Sequence, residues 1–99
     1  MPKYLMLAIN GPKPDIAEDD YNAWYRAQLN KIRAIPGVQS AQRYRNVLGK
    51  GIDQTYFAAY EVETDDIEAF KADMAARLHP IEPPFDQATS LALLGEAVD

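Results

Sequence analysis

Apolar residues recur along the chain in four short runs and two longer stretches with helical spacing. The first run, "KYLMLAIN" (3–10), predicts a strand with Leu5, Leu7 and Ile9 on one face and Tyr4, Met6 and Ala8 on the other. Both faces are therefore apolar. Asn10-Gly11-Pro12 ends it, and "GPKPD" reads as a loop. Asp15 followed by Glu18 predicts a capping box opening a helix that runs to about Ile35. Tyr21, Trp24, Gln28, Ile32 and Ile35 share one face of that helix, widened by Tyr25 and Leu29. Pro36-Gly37 stops it.

"VQSAQRYRNVL" (38–48) predicts a strand of mixed polarity near a sheet edge, and "GKGIDQ" supplies turn glycines. "TYFAAYEVE" (55–63) is again apolar on both faces, Tyr56, Ala58, Tyr60 and Val62 opposing Phe57 and Ala59. Asp65 and Glu68 predict a second capping box, with Ile67, Phe70, Met74 and Leu78 as the buried seam of the helix that follows. "HPIEPPFDQ" is a proline-broken loop, and "TSLALLGEAV" (89–98) a last strand.

The order βαββαβ, without repeats, is the split-βαβ pattern of a ferredoxin-like α+β sandwich: a four-stranded antiparallel sheet with two helices on one face. In that arrangement the first and third strands are central, which agrees with their being apolar on both faces. Residues 1–99 are expected to form a single domain. Two helices cover one sheet face only. The other face, carrying some of Tyr4, Met6, Tyr56, Tyr60 and Leu93 or their neighbours, needs a second cover, and a self-complementary patch predicts a homodimer.

Composition narrows the function. An apolar fraction of 47% suits a globular chain. With no cysteine and one histidine, His79, the chain has no thiolate chemistry and no clustered metal ligands. No metal or other cofactor is expected. A net charge of −5, with acidic residues in helical runs, argues against nucleic acid or an anionic membrane as partner. No window approaches a membrane span and the N-terminal run is too short for a signal peptide, so a cytoplasmic protein is expected.

One residue breaks the first helix's apolar face. Gln28 is a long amide that costs about 1–3 kcal/mol if buried without a partner, so it requires a partner, water or a ligand. Close to Trp24 and the sheet tyrosines, it suggests a pocket. A buried tyrosine such as Tyr56 or Tyr60 likewise needs a hydroxyl partner, although core or dimer packing is its commoner role. Arg43 and Arg45 share a strand face; they could hold an anionic group or simply protect an edge strand.

The runs "EDDYNAWY", "IPGV" and "SAQRY", within residues 18 to 45, resemble the dimeric α+β barrel superfamily, in particular its EthD-like branch. That superfamily holds isomerases, cyclases, monooxygenases and members without known activity. The EthD-like pattern has a His about one turn after its Trp-Tyr pair; here Gln28 or Leu29 stands in that place. A glutamine can orient a carbonyl or hydroxyl but cannot act as a general base near neutral pH.

His79-Pro80 after the second helix is similar to the His of stress-responsive and polyketide-cyclase members, where it works with a tyrosine as an acid–base pair. By that resemblance His79 is the candidate acid–base group, with Tyr60 or Tyr44 as its partner, while Trp24, Gln28, Asn10, Arg43 and Tyr56 form the substrate-binding shell. The alternative for His79 is a solvent-facing histidine at a helix C-terminus. Asn10 is placed like the Asn of haem-degrading monooxygenases in the superfamily, but those use a Trp on or near the second helix, where this chain has Phe70 and Met74. The favoured expectation is a cofactor-independent lyase, isomerase or cyclase acting on a small apolar, aromatic or carbonyl-bearing compound. Its rivals are a non-catalytic dimeric small-molecule-binding or accessory protein, and a cofactor-free monooxygenase.

Overall fold

A computed structural model of the protein describes residues 1–77 and 84–99. Four strands, β1 (Lys3–Asn10), β2 (Val38–Arg45), β3 (Tyr56–Glu63) and β4 (Leu91–Glu96), form one sheet in the order β2-β3-β1-β4. Every pairing is antiparallel. β1 and β3, each apolar on both sides, are the central pair. Helices α1 (Glu18–Arg33) and α2 (Ile67–Arg77) share one core with a single face of this sheet. The fold is ferredoxin-like.

The choice of inner face is specific. Tyr56, Ala58, Tyr60 and Val62 of β3 are buried beneath the helices, and Tyr4, Met6 and Ala8 of β1 pack against the same cluster. The tyrosines and Met6 of the set expected to supply the helix-free face (some of Tyr4, Met6, Tyr56, Tyr60 and Leu93, or their neighbours) turn inward instead. Of the residues named for that face only Leu93 lies there, 61% exposed, opposite Leu7 in register. Leu5, Leu7, Ile9, Phe57 and Leu91 accompany it by strand parity.

Helix boundaries move by short distances, for local reasons. The capping box on Asp15 does not form: Ala17 occupies the N-cap and no side chain caps α1. Ile16 packs against the core, and its N–H donates to the Lys13 carbonyl (3.0 Å), so these residues make a turn instead of a first helical turn. Glu18, Asp19 and Asp20 in the first turn, with Lys31 and Arg33 in the last, suit the helix dipole. Ile35 lies just past the helix and is still buried, 2% exposed. At α2 the cap falls one residue later than the box on Asp65: Asp66 Oδ1 accepts from the Ala69 N–H at 3.0 Å, and Thr64 Oγ1 receives the N–H of Asp66. Leu78, expected on the α2 seam, is outside the described residues.

Strand ends shorten as well, at β2, β3 and both ends of β4. β2 stops at Arg45 because the Asn46 amide turns in to donate to the carbonyls of Ile52 and Gln54. β4 starts at Leu91, after a 3-10 turn (Gln87–Thr89) capped by Asp86. Between α1 and β2, Gly37 takes φ 96°, and a Cβ there would lie 3.0 Å from the Glu63 carbonyl. Only glycine meets both demands. Among the described residues no helix is long and apolar enough to cross a membrane.

The caps give a direct check. Asp66→Ala should lose about 1 kcal/mol of stability, the usual worth of an N-cap, whereas Asp15→Ala should stay within about 0.5 kcal/mol of the parent, as a surface change does. Urea denaturation of both variants measures this. A larger loss for Asp15→Ala would restore the capping box expected from sequence.

Candidate functional site

A cavity of about 310 Å³ lies between α1 and the helix-facing side of the sheet, reaching α2 at Met74 and Ala75. That is the small end of ligand cavities, which run from about 300 to 1,000 Å³. Met6, Ala8, Ile32, Met74, Phe85 and Ala92 give it apolar walls. Trp24 forms an aromatic side, its ring 5.4 Å from Tyr25 at 85° and 5.9 Å from Phe85. Asn10, Tyr25, Gln28, Tyr60 and Ser90 are its polar groups, and no charged side chain is among the described lining.

Gln28 reaches the cavity because it sits one turn after Trp24 on the buried side of α1. It is 8% exposed, and among the described residues its amide has no hydrogen-bond partner. Its side-chain nitrogen and oxygen open onto the cavity space and are not among the fully buried polar atoms left unpaired. A leucine at this position would pack against the same apolar walls, so the amide gives the cavity a polar group that packing does not require.

Asn10, 2% exposed, is by contrast paired at both ends of its amide. Its Oδ1 accepts from the Tyr21 hydroxyl, and its Nδ2 donates to the Tyr25 hydroxyl at 2.9 Å. Tyr21 and Tyr25 stand one turn apart on α1, so both phenols reach the end of β1. Their rings meet edge to face at 5.4 Å. Burial, the largest cause, pushes the hydroxyls of Tyr21, Tyr25 and Tyr60 above the ordinary tyrosine pKa; proximity to Tyr25 adds to the rise at Tyr21 and Tyr60, and Arg43 opposes it at all three. These phenols are neutral hydrogen-bonding groups, not bases.

Of the residues expected from sequence, Asn10, Trp24, Gln28 and Tyr60 come together on this cavity. Arg43 lies behind its wall. The guanidinium Cζ is 4.8 Å from the ring centroids of Tyr25 and Tyr56 and 5.3 Å from that of Tyr21, and Nη1 donates to Asn22 Oδ1 at 2.9 Å. Tyr56 donates its hydroxyl to Glu18 at 2.7 Å and does not line the cavity. Tyr44 is on the helix-free face, stacked on Phe57 at 5.1 Å, because its strand parity is opposite to that of Arg43. His79 lies outside the described residues. Tyr25 and Phe85 are cavity residues that the sequence pattern did not single out. Two tyrosines four apart on the buried helix face, each needing a hydroxyl partner, were the available signal for the first.

Neither a family model nor a curated protein matches the chain. By structure it is similar to a dimeric ferredoxin-like protein of unknown function from Thermobifida fusca, with TM-score 0.69 and 15% identity over 97% of this chain and 92% of that one. It is also similar to the haem degrader MhuD from Mycobacterium tuberculosis, solved with two haems in its active site, with TM-score 0.68 and 18% identity over 96% and 95%. A third is SnoaB, a cofactor-independent oxygenase from Streptomyces nogalater, with TM-score 0.61 and 14% identity over 98% and 92%. Likeness at such identities fixes the fold and leaves the chemistry to be argued from the cavity.

The buried phenols predict a pH limit. Their folded pKa values lie above the unfolded value of 10.0. Their contribution to stability is therefore fully present below about pH 10 and is lost as pH rises, because the unfolded chain ionises first. Nuclear magnetic resonance of ring-labelled tyrosine through an alkaline titration should show Tyr21, Tyr25 and Tyr60 ionising only as the protein unfolds. Phenolate at these three with the fold intact would contradict the buried network.

Proposed function

We propose that the protein is a cofactor-independent enzyme of the lyase, isomerase or cyclase type, acting on a small, largely apolar, aromatic or carbonyl-bearing compound held in the cavity beside Trp24. Gln28 carries this reading: its buried amide faces apolar and aromatic walls and has no partner among the described residues. A ligand oxygen or N–H satisfies that amide. His79 is the acid–base group, since the sequence sets it between Ala75 and Phe85, two residues of the cavity wall. Tyr60, kept protonated by burial, is its partner and donates to the substrate. Tyr44, on the far side of the sheet, leaves that role. The run from 18 to 45 supports placing the chain in the EthD-like branch of the dimeric α+β barrels, with Gln28 near the position of that branch's histidine.

A second reading has its own observation. Trp24 and Tyr25 touch edge to face on the cavity side, an oxidisable pair beside the ligand space. That favours cofactor-free oxygenation of a reduced aromatic compound, the class of reaction in SnoaB's name.

We also propose a homodimer through the helix-free face. Leu5, Leu91 and Leu93 are 45%, 47% and 61% exposed on it, beside an open depression of about 620 Å³ that runs from Lys3 to Leu93. A patch of this kind is seldom left to water, and a two-fold partner needs only one such patch. The Thermobifida fusca protein of the same fold is dimeric.

Quenching of Trp24, the single tryptophan, by a panel of aromatic ketones and hydroxylated quinones tests the cavity. Gln28→Leu should change the stability of the free protein by no more than about 1 kcal/mol and weaken binding roughly tenfold. Unchanged binding in that variant would make Gln28 a tolerated core residue. With a substrate in hand, His79→Ala should keep binding and lose about 10²–10⁴-fold in turnover. Binding without any turnover in the parent protein would identify a binding protein instead. For assembly, sedimentation at micromolar concentration should give twice the chain mass, and Leu93→Glu should give monomer. A parent protein that sediments as a monomer would remove the dimer.

A further inference from the structure

The hydrogen-bond chain behind the cavity has a direction. Tyr21 gives its only hydroxyl hydrogen to Asn10 Oδ1, and Asn10 Nδ2 gives one of its two hydrogens to Tyr25. Taken alone, a phenol–amide–phenol chain can run either way, since phenols both donate and accept and an amide can turn over. Arg43 removes that freedom. Its guanidinium carries a fixed charge and only donors, it is held by Asn22, and it is surrounded by the rings of Tyr21, Tyr25 and Tyr56. Its Nη2 is buried with no hydrogen-bond partner. A cation beside the Tyr21 phenol favours the oxygen lone pairs facing it and the hydrogen facing away, toward Asn10.

The consequence appears at the cavity wall. Three hydrogens there remain to be placed: the second on Asn10 Nδ2, and those on the hydroxyls of Tyr25 and Tyr60. One at most can be used between the two hydroxyls. The described cavity lining has no carboxylate to accept the others. Asn10, Tyr25 and Tyr60 thus present hydrogens at the polar end of the cavity with a positive charge behind them, while Gln28 and Ser90, also in the lining, can either donate or accept. That arrangement stabilises an oxygen that carries or develops negative charge.

We propose that Arg43 is a positioning residue that orients the Tyr21–Asn10–Tyr25 chain so that Asn10, Tyr25 and Tyr60 form a seat for an oxyanion, and that the ligand class is a phenol or an enolisable, conjugated ketone bound through that oxygen. The proposal rests on the reading of the cavity as a ligand site. Arg43 does not touch the ligand; its charge acts through Tyr21 and Asn10.

The test uses 4-nitrophenol, whose two protonation states differ in colour. Binding is read from quenching of Trp24, and ionisation from the phenolate absorbance of the bound probe. In the parent protein the bound phenolate-to-phenol ratio should exceed that in water at the same pH by roughly tenfold, about one pKa unit. Arg43→Gln should abolish the excess and Arg43→Lys should restore part of it, which a merely structural role would not do. Tyr21→Phe keeps the arginine and the ring but breaks the chain, so it should lose the excess as well, and it preserves the test if Arg43→Gln does not fold. A bound probe as protonated as in water, or more so, overturns the proposal, as does an excess that survives both Arg43→Gln and Tyr21→Phe. Either result leaves the ligand cavity standing. Failure of 4-nitrophenol and of every aromatic ketone tried to quench Trp24 removes the cavity reading and the oxyanion seat together.

Discussion

A phenol hydroxyl taken out of water between a helix and a sheet must find a partner, and here the amide of Asn10 meets that demand for two of them at once. An unpaired hydroxyl in such a place costs about 1–3 kcal/mol, so Asn10 and the two tyrosines depend on one another. The bond between them fixes how α1 lies on the sheet, because Tyr21 and Tyr25 come from the helix and Asn10 from the end of β1. It also draws Arg43 in, since three tyrosine rings form its surroundings. The cavity opens beside this network and not through it: Trp24 and Gln28 stand on the same helix, with Tyr60 across from them on β3.

The order and centrality of the strands could be read from the βαββαβ succession, which sets β1 and β3 at the centre, in keeping with their apolar faces; β4, also apolar on both sides, lies at an edge. Which face of β1 turned inward could not be read from apolarity, as Leu5, Leu7 and Ile9 are at least as hydrophobic as Tyr4, Met6 and Ala8. The polar residue decides it. Asn10 must reach the helix phenols, and Tyr4, Met6 and Ala8 share its parity, so they go inside with it. Helix starts were less legible where two acidic residues compete, as Asp65 and Asp66 do, or where a core residue such as Ile16 bends the chain first.

Half of the site was legible for a related reason. Trp24 and Gln28 are a turn apart on one helix face, and Tyr60 and Asn10 occupy inward positions of adjacent central strands, so local periodicity alone brings the four into reach. Tyr44 and Arg43 are neighbours in sequence and opposite in space, and choosing between them requires the parity of β2 against the sheet. That Arg43 is enclosed by tyrosines rather than open to a ligand is a tertiary fact. It depends on α1 and β3 meeting across it, which no spacing within β2 encodes.

The central claim is that the polar group retained at Gln28 exists for a ligand. Side-chain amide resonances of the nitrogen-labelled protein, followed while an aromatic ketone such as acetophenone is added, test it most directly. The account predicts that the Gln28 amide shifts in a saturable way as the ketone fills the cavity, while those of Gln39, Gln42 and Gln87, on exposed positions, stay where they are. A ketone that binds and quenches Trp24 while leaving the Gln28 amide unmoved would contradict it.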